Sequence, residues 1–391
     1  MVPSRTNVEL SALVATLEAG RERILAQTMD LVRLETPSAD LEALARGADL
    51  VADTGALELG AMPERVTVDG RQHLRWRWGS GPARVLVLTH YDTVWPIGTL
   101  KEIPCTLGGG VLRGPGCFDM KLGLLMAFHA LGEVARSRGD LDGVTLLATS
   151  DEETGSATSH EMIEPEALGC RAALVLEASG PRGALKTERK GAGIYRLVVR
   201  GTAAHAGLEP ERGVNAGLEL ARQIPLVTQL GDAACGTTVT PTTMSAGTTA
   251  NTVPDMAFVD IDVRVSSAEE DDRVRAGLFA LTPFDDGAAL EVRGGSHRPP
   301  LTRASSGALF SLAQDVAEEA GLAPLVECAV GGASDGNLTA GVGTPTLDGL
   351  GAVGGGAHAR DEHVLVEHIV DRTALLAGII HRLLEEDDHD A

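Results

Sequence analysis

Leu10, Leu13, Val14 and Leu17 recur at the spacing of one helix face, and Ile24, Leu25, Thr28, Leu31 and Val32 continue a stripe that must end before Pro37. The chain is therefore expected to open with helices. Strand-like stretches follow at 65–69 and 73–78, and residues 85–88 are apolar throughout, as a strand buried on both faces must be. Two more such runs occur at 143–149 and 172–176, separated by helix-length apolar segments at 120–134 and 157–168. This alternation predicts an α/β domain built on a mostly parallel sheet, with helices on both faces.

From about residue 190 the strands alternate and become more polar. The pattern reads as strand 194–200, helix 213–230, strands 237–246 and 257–265, helix 268–281 and strand 289–293. That order is the ferredoxin-like βαββαβ unit. Helical texture at 305–320, a buried strand at 325–329 and a closing helix at 365–384 then resume the first domain. The expected organisation is a host domain of residues 1–189 and 300–391 carrying an inserted domain of residues 190–299, with the site in the cleft between them.

Charge narrows the partners. Thirty-three Lys and Arg stand against 55 Asp and Glu, a net −22, and only 3% of residues are aromatic. Nucleic acid, which needs a basic face and stacking aromatics, is disfavoured, and so is an anionic membrane surface. No apolar run approaches the roughly 18 to 20 residues that span a bilayer, and the first residues lack a signal-peptide pattern. A soluble, cytoplasmic protein is expected. Cys105, Cys117, Cys170, Cys235 and Cys328 form no CxxC pair, which fits reduced thiols.

Each buried run of the first domain ends in polar residues, where an open parallel sheet places its ligand site. The first ends in Thr89-His90-Tyr91-Asp92, the second in Ser150-Asp151-Glu152-Glu153, and the third in Leu176-Glu177. Gly114-Pro115-Gly116 leads to Asp119 at the start of a helix, and Gly354-Gly355-Gly356 leads to His358. Carboxylates converging in one cleft repel one another, and a divalent cation resolves the repulsion. Two imidazoles with three carboxylates are too many ligands for one tetrahedral zinc but suit two metals that share a carboxylate and a water. Of the adjacent Glu152 and Glu153, one can bind metal while the other faces that water. Asp92 is close enough to His90 to orient its imidazole.

Together, His90-x-Asp92, Gly114-Pro115-Gly116 to Asp119, Asp151-Glu152-Glu153-x-Gly155, Glu177, Ala204-His205-Ala206-Gly207 and His358 resemble the M20 zinc peptidases, most closely their glutamate carboxypeptidase branch. The resemblance runs over nearly the whole chain, with the motifs in family order. It implies two Zn2+ ions, for which Co2+ or Mn2+ could substitute, bridged by Asp119. His90 and Glu177 would complete one site, and Glu153 and His358 the other. It further implies Glu152 as general base, the insert as a lid that also joins a homodimer, and His205 as the group that reaches the substrate carbonyl oxygen. Asn251, Arg298 and the turn at Gly332 look like binders of a substrate carboxylate, which an Arg fork and backbone N–H groups suit. The implied reaction is hydrolysis of an amide bond beside a free carboxylate, in a small molecule or short peptide. It would release a C-terminal amino acid such as glutamate; an N-acyl-amino-acid deacetylase or amidohydrolase is the alternative.

Two readings of other classes compete. Gly332-Ala333-Ser334-Asp335-Gly336 matches the GxSxG turn of serine hydrolases, with Asp361 and His363 downstream as formal triad partners. That reading leaves Asp119, Glu152, Glu153 and Glu177 without a role. A non-catalytic binding protein should have lost the base or a metal ligand, yet all five ligand candidates and Glu152 are present.

Overall fold

A computed structural model describes the backbone of residues 5–385 and side chains from residue 12 onward. The outer ends of the expected host domain, 1–4 and 386–391, and most of the acidic C-terminal tail lie outside the described residues. The two N-terminal stripes form one helix, Arg5–Arg33, that buries Leu17, Ile24, Leu25, Leu31 and Val32. Among the described residues no helix is long and apolar enough to cross a membrane.

The chain divides into two compact units. The first runs up to Glu188 and includes Arg303–Val330 and the chain from Ser334. Its main sheet has the order Glu64–Val68, Arg71–Arg77, Val144–Thr149, Val85–His90, Ala172–Val175, Thr346–Leu347. Glu64–Val68 pairs antiparallel with Arg71–Arg77, which in turn pairs antiparallel with Val144–Thr149, and the contacts from there to Thr346–Leu347 are parallel, giving the mostly parallel α/β sheet that the apolar runs predict. All residues of Val85–His90 and Val144–Thr149 are buried, as strands covered on both faces must be. Helix Leu122–Arg138 buries nearly every side chain from Leu122 to Val134, and Phe128 meets Trp76 edge-on at 5.3 Å.

Helix Leu41–Leu59 has no counterpart in the sequence reading. Its termini are marked by Asp40, whose side chain accepts the Ala43 N–H, and by left-handed Gly60. Its buried face is Ala43, Leu44, Gly47, Ala48, Val51, Ala52 and Gly55, too small in side chain to read as an apolar stripe. Smallness is the requirement here, because a Cβ on Gly55 would lie 2.4 Å from Cζ2 of Trp76. The expected buried strand at 325–329 also needs correction. Glu327–Val330 is a partly exposed strand paired with Leu185–Arg189, and the parallel sheet instead ends on the two-residue strand Thr346–Leu347. The Gly108–Gly110 run is a turn, with Thr106–Gly108 and Val111–Arg113 pairing antiparallel around it.

The second unit is Arg189–Thr302 with Gly331–Ala333, the latter a segment the sequence reading placed in the host. Its elements are Gly191–Arg200, helix Ala216–Thr228, Thr238–Ala246, Met256–Val265, helix Ala268–Phe279 and Ala289–Arg298. The strands are all antiparallel, in the order second, third, first, fourth, which is the ferredoxin-like arrangement. Met256–Val265 alternates, burying Ala257, Val259, Ile261, Val263 and Val265 against Leu220, Val227, Val274 and Leu278. Arg196 pairs with Asp260 at 2.6 Å, and Arg264 with Asp262 at 2.8 Å. The last strand runs to Arg298, past the expected end at residue 293, which places that residue in the sheet.

Candidate metal centre

Three neighbouring parallel strands end on the same edge of the main sheet. His90 closes the middle strand, opposite Thr149 of one neighbour, and Leu88 lies opposite Val175 of the other. The chain therefore leaves one neighbour toward Glu152 and Glu153 and the other toward Glu177, on either side of His90. Asp119 comes from the segment Cys117–Lys121 that enters helix Leu122–Arg138, and the Asp119–Met120 peptide is cis. His358 sits after Gly356 with a left-handed φ of 59°.

These five side chains form two overlapping groups, His90, Asp119 and Glu177 in one, and Asp119, Glu153 and His358 in the other. Within each, the ligand atoms lie within 4.8 Å of one another. Nε2 of His90 is 3.6 Å from Asp119 Oδ1 and 3.5 Å from Glu177 Oε1. Nε2 of His358 is 3.4 Å from Asp119 Oδ2 and 3.1 Å from Glu153 Oε2. Two donors bound about 2.0–2.1 Å from one tetrahedral zinc lie roughly 3.3 Å apart, so these spacings are those of ligand pairs. Asp119 directs one oxygen to each group.

The donor atoms fit cations in a second respect. His90 Nε2, Asp119 Oδ1 and Glu153 Oε1 are buried and have no hydrogen-bond partner among the described residues. Buried polar atoms are normally satisfied, and a shared set of orphans facing one another marks a place for an ion. Electrostatics agree. Burial opposes the His90 imidazolium, yet Asp119, Asp92 and Glu177 hold its pKa well above the usual value. Asp119 and Glu153 push that of His358 up to about 10. Burial likewise opposes charge on Asp119, but the two histidines hold its carboxyl far below the usual range. Burial raises that of Glu153. The cluster demands positive charge, which divalent cations supply.

The surrounding groups fix this geometry. Nδ1 of His90 lies 3.1 Å from the Asp92 carbonyl and 3.4 Å from Asp92 Oδ1, which leaves Nε2 toward the cluster. The fully buried Asp92 carboxylate also accepts the Ser38 hydroxyl at 2.7 Å and the N–H groups of Glu152 and Glu153 at 3.3 Å each. It thus ties the imidazole to the turn Glu152–Thr154. Asp151 holds that turn from behind, accepting hydroxyls from Thr158 at 2.7 Å and Ser159 at 2.6 Å. Glu152 is half-buried beside Glu153 but belongs to neither ligand group. Sequence reasoning passed over Ser38 and also Glu362, a buried acid whose only sequence trace is its place four residues after His358.

The remaining candidates lie in the second unit. His205 is exposed, and its Nδ1 accepts the N–H groups of Gly207 and Leu208 at 3.1 and 3.2 Å. The neutral ring must then carry its hydrogen on Nε2, as an outward donor. The Asn251 carbonyl accepts the Ala206 N–H at 2.9 Å, so Asn251 and His205 share one loop cluster. Arg298 is elsewhere: it is 4% exposed and pairs with Ala192, whereas the His205 loop follows Arg200 at the other end of the same strand. Eight residues of strand separate the two ends by roughly 25 Å. One carboxylate therefore cannot be held by Arg298 and Asn251 of a single chain. The exposed Gly332 offers its carbonyl to Arg189 at 3.1 Å.

Ser334 does not have the surroundings of a nucleophile. It is fully buried, caps helix Asp335–Gly341 by accepting the Gly336 N–H at 3.1 Å, and donates to Asp348 at 2.6 Å. The GxSxG match is a helix cap.

The chain belongs to Peptidase family M20/M25/M40, whose pattern it matches over residues 86–382. It is an enzyme that hydrolyses amide or peptide bonds, in a metal-dependent family. Carboxypeptidase G2 of Pseudomonas sp. strain RS-16 is 29% identical over 364 residues, spanning 90% of this chain and 86% of the relative. A succinyl-diaminopimelate desuccinylase of Xanthomonas euvesicatoria pv. vesicatoria is 29% identical over 88% of this chain and 97% of its own length. Among solved structures, an M20 metallo-carboxypeptidase from Sulfolobus solfataricus shares the fold with TM-score 0.71 at 16% identity, covering 92% of this chain and 99% of its own. Aminopeptidase PepT from Bacillus cereus does so with TM-score 0.71 at 22% identity, covering 93% and 99%.

Proposed function

We propose that the protein is a binuclear zinc hydrolase that cleaves an amide bond beside a free carboxylate, releasing a C-terminal amino acid such as glutamate from an N-acyl or peptidyl conjugate. The observation that carries the reading is Asp119, whose two oxygens face two separate groups of ligands. Likeness to carboxypeptidase G2 supports the carboxypeptidase direction. Zinc, or cobalt or manganese in its place, held by His90, Asp119, Glu153, Glu177 and His358, would polarise the amide carbonyl and acidify the attacking water.

The chain's own residues supply the rest. Glu152 takes a proton from the attacking water and passes it to the leaving amine. Asp92 keeps His90 and the Glu152 turn in register. His205 donates its Nε2 hydrogen to the carbonyl oxygen as negative charge develops there. Because Asn251 and His205 lie far from Arg298 within one chain, the reading makes the site composite across a homodimer joined through the second unit. One chain contributes Arg298 and the Gly332 turn, and a second copy contributes His205 and Asn251. The five free cysteines fit a reducing, cytoplasmic setting, which completes the proposal.

A matched pair of substrates tests the recognition. Wild type is expected to cleave an N-acyl glutamate far faster than its α-amide. Arg298→Ala should lose about 2 to 3 kcal/mol in kcat/KM on the acid, the range for removing a charged hydrogen-bond partner, with much less change on the amide. Equal cleavage of acid and amide by wild type would overturn carboxylate recognition. The desuccinylase relative favours a second reading, an N-acyl-amino-acid amidohydrolase. Preference for N-succinyl or N-acetyl amino acids over peptides would select it.

A further inference from the structure

Glu362 is 1% exposed and lies outside both ligand groups, yet each of its oxygens accepts two hydrogen bonds. Oε2 takes the Gly116 N–H at 2.8 Å and the Trp95 indole N–H at 2.8 Å. Oε1 takes the Phe118 N–H at 2.9 Å and the Asp119 N–H at 3.1 Å. The loop is shaped for this: Gly116 has φ 74°, and a Cβ there would come 2.5 Å from Cγ2 of Thr93. Three backbone N–H groups thus converge as an anion-binding nest that is filled by a side chain of the same chain.

The donors belong to segments that carry metal-ligand candidates. Trp95 follows His90 and Asp92, Gly116–Asp119 ends on the shared carboxylate, and Glu362 itself lies four residues beyond His358. We infer that Glu362 is a positioning residue that sets the spacing of His90, Asp119 and His358, so that Asp119 can serve both cation sites at once. The inference rests on the proposed binuclear centre. A glutamine could not do the same work, since its NH2 would face two N–H donors and leave them unpaired. Loss of such outer partners typically weakens metal binding by roughly 10- to 100-fold.

The test compares wild type with Glu362→Gln, reading Co2+ binding to the full-length protein by visible absorption. Glu219→Gln is the control, because Glu219 is also a buried acid that accepts backbone N–H groups, those of Phe284 and Asp285, but in the second unit. Glu362→Gln is expected to bind Co2+ roughly 10- to 100-fold more weakly with an altered d–d spectrum, while Glu219→Gln keeps the wild-type affinity and spectrum. If Glu362→Gln fails to fold, Trp95→Phe removes a single donor and should weaken Co2+ binding in the same direction. Wild-type affinity and spectrum in Glu362→Gln, or in Trp95→Phe where that variant stands in, would overturn the role of Glu362. So would an equal loss in Glu219→Gln, which would make the effect one of general stability. Failure of wild type to bind two Co2+ would instead overturn the binuclear reading, and the inference with it.

Discussion

Glu152→Gln is expected to retain two metal ions per chain and to lose at least about 10² to 10⁴ in kcat, the usual contribution of a positioned general base. The reason lies in the turn Glu152–Thr154. Its N–H groups are fastened to Asp92, which presents Glu153 to His358 at 3.1 Å and leaves Glu152 outside both ligand groups. An amide keeps the size of the side chain and removes its ability to take a proton. Glu153→Gln should do the opposite and chiefly weaken metal binding, because Glu153 is one of the three candidate ligands that meet in its group among the described residues. Measured metal content alongside turnover separates the two. Equal metal loss in both variants would contradict the division of labour.

His205→Ala should lower kcat by about 10² to 10³, the range for deleting one oxyanion donor, with metal content unchanged. The imidazole is set up as a donor before any substrate arrives, since its Nδ1 is engaged by two backbone N–H groups. That arrangement needs no reorganisation as charge builds on the carbonyl oxygen. Mixing Glu152→Gln chains with His205→Ala chains locates the donor. If His205 acts on a partner's centre, each hybrid dimer has one intact site and activity returns. No regained activity would place His205 at its own chain's centre and contradict the composite site.

Much of this architecture is written in local pattern, and the exceptions have physical causes. The buried strands announce themselves because a strand covered on both faces must be apolar throughout, and polar residues begin where those strands end. His90, Glu153 and Glu177 follow directly from that edge. Helix Leu41–Leu59 does not, since close approach to Trp76 calls for Gly55 and small neighbours that leave no stripe. The 325–329 run resembles a core strand because a short apolar segment does not specify its pairing partner, and the two residues of Thr346–Leu347 are too few to register as a strand. Ser334 shows the reverse problem: a serine two residues before glycine suits a helix cap as well as a nucleophile turn. Glu362 gives no signal, as the donors it accepts come from residues 95 to 119. The separation of Arg298 from Asn251 was open to inference. A residue in the loop between the second and third strands and one at the end of the fourth lie at opposite ends of a ferredoxin-like sheet.

The central claim is that one carboxylate, Asp119, serves two cations. Metal analysis of purified, fully active protein tests it most directly, by elemental quantification against protein concentration, followed by chelation and stepwise return of zinc or cobalt. The account predicts close to two divalent ions per chain, activity lost on chelation, and activity restored as the second equivalent is returned. Full activity with a single ion per chain, or activity indifferent to chelation, would contradict it.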